Sequence, residues 1–251
     1  MIIIKSAREI ELMKQAGQIV AGALSLARNM AVPGTSTEAI NRAIDDYIMS
    51  KGAWPSFKHY GKPPFPAAAC ISVNEAVVHG IPDSYKLKDG DMVSVDVGAK
   101  LNGYHGDAAR TFAVGEIDDE ARRLVDITEQ SFWVGIAMAK EGNRLGDISH
   151  AIEEVAVRAG FGVVKELVGH GIGENLHEDP NVPNYGPAGR GPRLQAGMAL
   201  AIEPMINEGT ADIFLADDEW TVVTADRKRS AHYENTIIIT EHEPLILTLE
   251  P

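Results

Sequence analysis

The sequence predicts an α+β fold, helices outside and antiparallel strands inside, and three observations carry that prediction. Apolar residues recur at helical spacing over residues 7–29, 118–139 and 144–159. Strand-like runs near 92–98 and 104–114 flank Asn102-Gly103, a strong signal for a two-residue hairpin turn. Gly34, Ile40, Ala43 and Ile44 recur 108 positions later as Gly142, Ile148, Ala151 and Ile152. Helix faces resemble one another, so these four matches alone do not separate a repeat from coincidence. The same displacement, however, carries Asp96 to the position beside Glu203, which gives each of two similar halves a carboxylate on a strand.

The elements follow in order. The first helix presents Ile10, Met13, Ile19, Val20 and Leu24 on one side, and Val32-Pro33-Gly34 ends it. Thr35 with Glu38 reads as a capping box for a second helix, whose apolar face is Ile40, Ala43, Ile44 and Ile48. Prolines, glycines and aromatics make residues 53–69 a loop. A strand is expected near 70–78, before the hairpin. After the two later helices, strand-like segments return at 161–168, 198–205, 219–224 and 233–240. No linker rich in Gly, Ser or Pro divides the halves, so residues 1–251 read as one domain.

Composition narrows the functional classes. With 45% apolar and 24% charged residues among 251, the chain can bury a core and does not have the make-up of a disordered polymer. A formal charge of −13 repels phosphate backbones and argues against nucleic acid as the main ligand. The compact basic run Arg227-Lys228-Arg229 reads as a solvated turn. A single cysteine, Cys70, excludes an intramolecular disulfide and a cysteine zinc finger and fits a reducing compartment. Met1-Ile2-Ile3-Ile4 meets Lys5, Arg8, Glu9 and Glu11 at once, too short a run for a signal peptide or a membrane span. The expectation is a cytoplasmic protein without a membrane segment.

Carboxylates carry the chemistry. If Asn102-Gly103 forms the loop, Leu101 faces Tyr104, Asp96 faces Ala109 and Asp107 faces Gly98. Side chains alternate along a strand, so Asp96 and Asp107 share one face, two positions out of step. Two carboxylates that close repel each other unless a cation, most naturally a metal, sits between them. The alternative is a bulge that turns one Asp to solvent. His170 lies in Gly169-His170-Gly171-Ile172-Gly173, where glycines let the backbone approach a site. Taken alone it would be a structural histidine. Glu203 ends the apolar run Ala199-Leu200-Ala201-Ile202, and Glu234 opens a similar run. A buried glutamate without a cationic partner is expensive. Hard oxygen ligands with one imidazole suit Mn, Fe, Co, Zn or Mg. Four carboxylates are many for one catalytic ion and suit two.

In order and local context, Asp96, Asp107, His170, Glu203 and Glu234 match the metal ligands of methionine aminopeptidases. The flanking strings His79-Gly80-Ile81-Pro82, His177-Glu178, Glu203-Pro204 and Tyr233-Glu234 match as well. The chain resembles the type I enzymes over nearly its whole length, from Ile4-Lys5-Ser6 onward. That resemblance implies the pita-bread fold, two pseudo-symmetric halves with helices outside a curved antiparallel sheet. Prolidase-type relatives carry a large N-terminal domain for which this length leaves no room. The helical insertion of type II enzymes is not seen, and the cysteine count excludes a zinc-binding extension.

The resemblance also implies a function and roles. The function is metal-dependent removal of the initiator methionine from nascent proteins whose second residue is small, with two divalent ions as cofactor. Asp96 would hold one ion through both oxygens, Asp107 and Glu234 would be shared, and His170 and Glu203 would complete the other. Glu203 would also be general base for water and proton donor to the leaving amine. His177 would stabilise the tetrahedral intermediate, and His79 would hold the peptide. Phe65, Cys70 and Trp220 correspond to the methionine pocket, which suits a thioether. Tyr60 and Leu176 are either its neighbours or ordinary core residues. Expected partners are N-terminal peptides of nascent chains, with transient ribosome proximity. Neither a nucleic-acid site nor a membrane is expected, and the chain is expected to be a monomer. The rival readings are an aminopeptidase of other specificity and a non-catalytic, peptide-binding relative, which would lack some of these ligands. One departure stands out: bacterial relatives commonly carry Gln where this chain has His232. Two positions before Glu234 on a strand, His232 is expected to point the same way, neutral beside cations, as partner to a ligand carboxylate or to the substrate amine. A bulge near Arg229-Ser230 would instead turn it to solvent.

Overall fold

Ser6 opens the first helix, α1 (Ala7–Met30). Its hydroxyl accepts from the Glu9 N–H, and the Glu9 carboxylate accepts from the Ser6 N–H at 2.7 Å. The apolar pattern did not reveal this capping box. The second helix, α2 (Thr37–Ser50), is capped by Ser36, whose hydroxyl accepts from the Ala39 N–H at 3.2 Å. The expected cap, Thr35, lies one residue too early: its carbonyl accepts from Leu87 N–H at 2.9 Å instead. A cap must directly precede the first helical residue for its side chain to reach the free N–H groups. Asp118 caps α3 (Asp119–Ile136), and α4 (Leu145–Arg158) follows. The computed structural model describes residues 1–249.

The internal echo is a structural repeat. α2 and α4 are each 14 residues long and lie 108 positions apart. Gly34 and Gly142 both take left-handed φ, +92° and +89°. Gly34 N–H donates to Leu87 O at 2.7 Å, and Gly142 N–H donates to Leu194 O at 3.0 Å. Leu87 N–H returns to Thr35 O, and Leu194 N–H returns to Asn143 O. Ile40, Ile44, Ile148 and Ile152 are all fully buried. From Leu87 and Leu194 onward the displacement is 107, which brings Asp96 onto Glu203 itself.

The long hairpin pairs the Met92–Leu101 and Tyr104–Ala113 strands in the expected register, with Asp96 opposite Ala109 and Asp107 opposite Gly98. Asn102 (φ 52°) and Gly103 (φ 92°) form its turn. The Ala69–Val73 and Trp54–Pro55 strands pair with the other edge of Met92–Leu101. α1 and α2 cover this sheet, burying Val20, Leu24, Ile40 and Ile44 against Val93, Val95 and Val97. A second sheet runs in the order Leu245–Ile246, Asn235–Ile238, Ala199–Ile202, Gly169–Gly171, Glu178–Val182. Here α3 and α4 bury Phe132, Ile136, Ile148 and Ile152 against Leu200, Ile202 and Ile237. The halves join where Glu234 N–H donates to Ala109 O at 2.9 Å and Asp107 N–H donates to Thr236 Oγ1 at 3.0 Å.

Several expected strands are shorter or broken. The 161–168 segment keeps only Gly162–Val163, and 219–224 keeps Val222–Thr224. The 70–78 run divides into Ala69–Val73 and Ala76–Val78 at left-handed Asn74. The 198–205 run divides into Ala199–Ile202 and Met205–Asn207, because Pro204 has no N–H for the ladder. The 233–240 run keeps Asn235–Ile238, and a separate strand not expected from the sequence, Ser230–His232, precedes it. Glu203 and Glu234 fall in these last two breaks, where the chain passes from one sheet to another. The expected helix over 118–139 ends at Ile136 and continues as turns. The basic turn is not merely solvated: Arg229 pairs with Glu208 at 2.6 Å and with the α3 cap Asp118 at 2.7 Å. Among the described residues no helix is long and apolar enough to cross a membrane.

Helix α1 lies directly on the strand that carries Asp107. A Cβ added at Gly106 would stand 2.8 Å from Gly17 N and 2.9 Å from Gly17 Cα, both backbone atoms of α1. Gly106→Ala therefore forces helix and strand apart and should lower stability by about 1–3 kcal/mol, as overpacking does. An unchanged urea midpoint would contradict this packing.

Candidate metal centre

Between the two halves lies a cavity of about 210 Å³. Asp96, Asp107, His170, Glu203 and Glu234 line its polar part, and Phe65, Cys70, Leu176 and Trp220 its apolar part. His79 and His177 stand on the same wall. Every site residue expected from the sequence therefore meets in one place. Phe57, Val78, Leu167, Val168 and Met205 also line it and were not anticipated. Adjacency was their only signal: Leu167-Val168 precede Gly169-His170, and Met205 follows Glu203-Pro204.

The polar groups are held from behind. His170 Nδ1–H donates to Gly171 O at 2.8 Å, which leaves Nε2 without a proton. That Nε2 faces Glu203 Oε1 at 3.7 Å and Asp107 Oδ2 at 3.9 Å. Asn184 Nδ2 donates to the Glu203 carbonyl at 3.0 Å. Arg110 donates to the Glu234 carbonyl and, at 2.8 Å, to Asn235 Oδ1. His232 is buried, and its Nε2 lies 3.6 Å from Glu203 Oε2 and 3.8 Å from Glu234 Oε2. Its inward orientation is as expected, and the outward bulge does not occur.

The donor set fits divalent ions. Asp96 Oδ1, Asp107 Oδ1, Glu234 Oε1 and His232 Nε2 are buried without a hydrogen-bond partner. Buried polar atoms are rarely left so, because desolvation without a partner is costly. Among the residues lining the cavity there is no lysine or arginine. Ligand atoms of Asp107, His170 and Glu234 lie within 4.8 Å of one another, and so do those of Glu203, His232 and Glu234. Glu234 belongs to both groups.

The pocket beside the carboxylates is aromatic. Phe65 and Trp220 pack edge to face with centroids 5.1 Å apart, and the His79 ring stands 6.0 Å from Trp220. His79 holds a left-handed φ of 58°, uncommon for a residue with a Cβ and frequent at functional sites. Burial lowers its pKa to about 4. His177 does not pair with Glu178, which forms a buried ion pair with Lys5 at 2.6 Å. Instead His177 Nδ1 meets the Tyr60 hydroxyl at 2.6 Å, and its ring stands 4.3 Å from that of His170. Tyr60 and Leu176 line the cavity. The Cys70 thiol is pushed well up, by burial first and then by Asp96, Asp107 and Glu234, and so remains protonated.

Burial raises the Asp96 pKa to about 7 and that of Glu203 to about 8. Burial and then the neighbouring carboxylates raise Asp107 and Glu234 well above their usual range. The folded chain without metal keeps protons that the unfolded chain has released, so these groups lower stability as pH rises. Buried His79, His170 and His232 are lowered to about 4, 3 and 4, and act in the opposite sense below their ordinary 6.5. Between pH 6.5 and 8 only the carboxylate effect remains among these groups. In chelator, stability should fall across that window by about 1.4 kcal/mol per pH unit for each proton released. Excess divalent metal should abolish the fall. A urea midpoint in chelator that is flat from pH 6.5 to 8 would refute the buried, uncompensated cluster.

Comparison with known proteins agrees with this geometry. The model of metallopeptidase family M24 matches residues 11–241. A methionine aminopeptidase of Clostridium perfringens is 55% identical over 250 residues, covering 99% of each chain. The crystal structure of a methionine aminopeptidase from Thermotoga maritima superposes with a TM-score of 0.97 at 47% identity, covering 100% of both chains. A prolidase from Pyrococcus furiosus shares the fold, with a TM-score of 0.81 at 24% identity. It matches 99% of this chain, but over only 66% of its own length. The fold is thus the expected pita-bread fold, and the chain belongs to metallopeptidase family M24 and, within it, to the methionine aminopeptidases.

Proposed function

We propose that this chain removes the N-terminal methionine from peptides and nascent proteins, as a single catalytic unit that takes ligands from both of its halves. The observation that carries this reading is an aromatic cavity opening directly onto five metal-type ligands, of which Asp107, His170 and Glu234 are buried and Asp96 and Glu203 half-buried. At about 210 Å³ it lies below the roughly 300–1,000 Å³ of pockets for drug-sized ligands, and it suits one terminal side chain with its scissile bond. Aromatic walls favour a thioether.

Two divalent ions complete the site in this proposal. Asp96 would hold one, Asp107 and Glu234 would be shared, and His170 and Glu203 would hold the other. When bound, the ions supply Lewis acidity, polarising the scissile carbonyl and making water acidic. The remaining work falls to side chains. Glu203 takes the proton of the attacking water on its carboxylate and passes it to the leaving amine. Burial keeps Tyr60 a neutral phenol, which donates to His177 Nδ1. His177 then carries its proton on Nε2 and donates it to the carbonyl oxygen as charge develops there. His79, neutral and fixed by its backbone, holds the peptide. The thiol of Cys70 packs against the side chain and does not attack.

In this proposal the substrate is the free N-terminus of a new chain, and the enzyme works as a monomer in the cytoplasm, transiently near ribosomes. The acidic charge of −13 disfavours a direct nucleic-acid contact.

Three outcomes test the reading. Release of methionine from Met-Ala-Ser should stop on chelation and return with Mn or Co. Full activity at zero measured metal content would overturn it. Glu203→Gln should lower kcat by at least roughly a hundredfold while circular dichroism is unchanged. Near-normal turnover of that variant, loaded with metal, would remove Glu203 as the base. Met-Ala peptides should be cleaved far faster than Met-Lys or acetylated ones, and equal rates would contradict the proposed specificity.

A further inference from the structure

We infer that His232 is itself a metal ligand of this chain, an imidazole added to the five ligands proposed above. This rests on the dinuclear metallopeptidase reading. Its backbone is pinned: the Thr111 hydroxyl donates to His232 O at 3.0 Å and accepts from His232 N–H at 2.8 Å. Pairing of His232 with Met205 fixes the register, and the ring turns inward with a residue exposure of 2%. Its Nε2 is buried and has no hydrogen-bond partner.

Distances separate a ligand from an outer partner. Glu203 Oε2 and Glu234 Oε2 stand 3.6 Å and 3.8 Å away, beyond the roughly 3.2 Å limit of a hydrogen bond to a ring nitrogen. Two atoms each about 2.1 Å from one ion, at angles from octahedral to somewhat beyond tetrahedral, lie about 3.0–3.8 Å apart. His170 Nε2, in the ligand motif, shows a similar spacing, 3.7 Å from Glu203 Oε1. Glu203 therefore has an imidazole facing each of its oxygens. An imidazole nitrogen added to carboxylate oxygens shifts the preference of that position from Mg toward Zn, Co or Fe.

The test is ring-15N NMR of the histidine-labelled protein, metal-free and after saturation with Zn(II). It is joined by calorimetric Zn(II) titration of the parent and of His232→Gln. The expected result is that Nε2 of both His170 and His232 shifts on loading, and that one of two binding steps weakens at least roughly tenfold in the variant. If His170 shifts and His232 does not, or if the variant binds both ions as the parent does, the inference is overturned while the dinuclear reading stands. A parent that binds no Zn(II) overturns both. Should the variant fail to fold, the parent spectrum alone decides.

Discussion

Asp96, Asp107, Glu203 and Glu234 converge in a cavity whose wall carries no lysine or arginine, and the rest of the molecule is arranged around that concentration of negative charge. The Arg110 guanidinium, which is not among the cavity-lining residues, donates to the carbonyls of Ala109 and Glu234 and to the Asn235 amide oxygen. It stiffens the strands behind the carboxylates without entering the site. Without a metal these acids hold protons above their usual range, and a metal ion, as the metallopeptidase family implies, would be the partner that lets them ionise. The hairpin, the sheet breaks and the four covering helices bring these acids together in one cavity.

Histidines complete the arrangement by staying neutral. Burial lowers His79, His170 and His232 to between about 3 and 4, so their nitrogens are free to donate or to ligate at neutral pH. His177 is steered by Tyr60, which stands on a loop of the first half, while His177 belongs to the second. Lys5, just before α1, is buried against Glu178, the residue after His177. Breaking such a pair leaves a buried charge without a partner, so the N-terminal segment helps to position the loop that carries His177.

The two halves repeat in backbone but not in chemistry. The first supplies the aspartates and the aromatic pocket through Phe65 and Cys70. The second supplies His170, the glutamates and Trp220. A repeated frame thus gives a single asymmetric site at the seam.

Local rules made part of this legible in the sequence. The Asn102-Gly103 turn determined the hairpin register, and period-two alternation then put Asp96 and Asp107 on one face. His232 also points inward, its Nε2 3.8 Å from Glu234 Oε2, although its strand ends at His232 and Glu234 falls in the break beyond it, so alternation alone did not decide this. Motif strings pointed to His79, His170, His177, Glu203 and Glu234, whereas Phe65, Cys70 and Trp220 were expected only by correspondence with the family; all of them line the cavity. Tertiary structure decided the rest. Ser36 rather than Thr35 caps α2, because Thr35 is held by pairing with Leu87. The runs containing Glu203 and Glu234 break rather than continue, because the chain changes sheets there. Phe57 joins the pocket from a loop with no local pattern to announce it, and Val78 and Leu167 had only their nearness to His79 and His170. The physical reason is range: turns and strand alternation act over a few residues, whereas a cavity wall and the distance from an imidazole to a carboxylate depend on how remote segments pack.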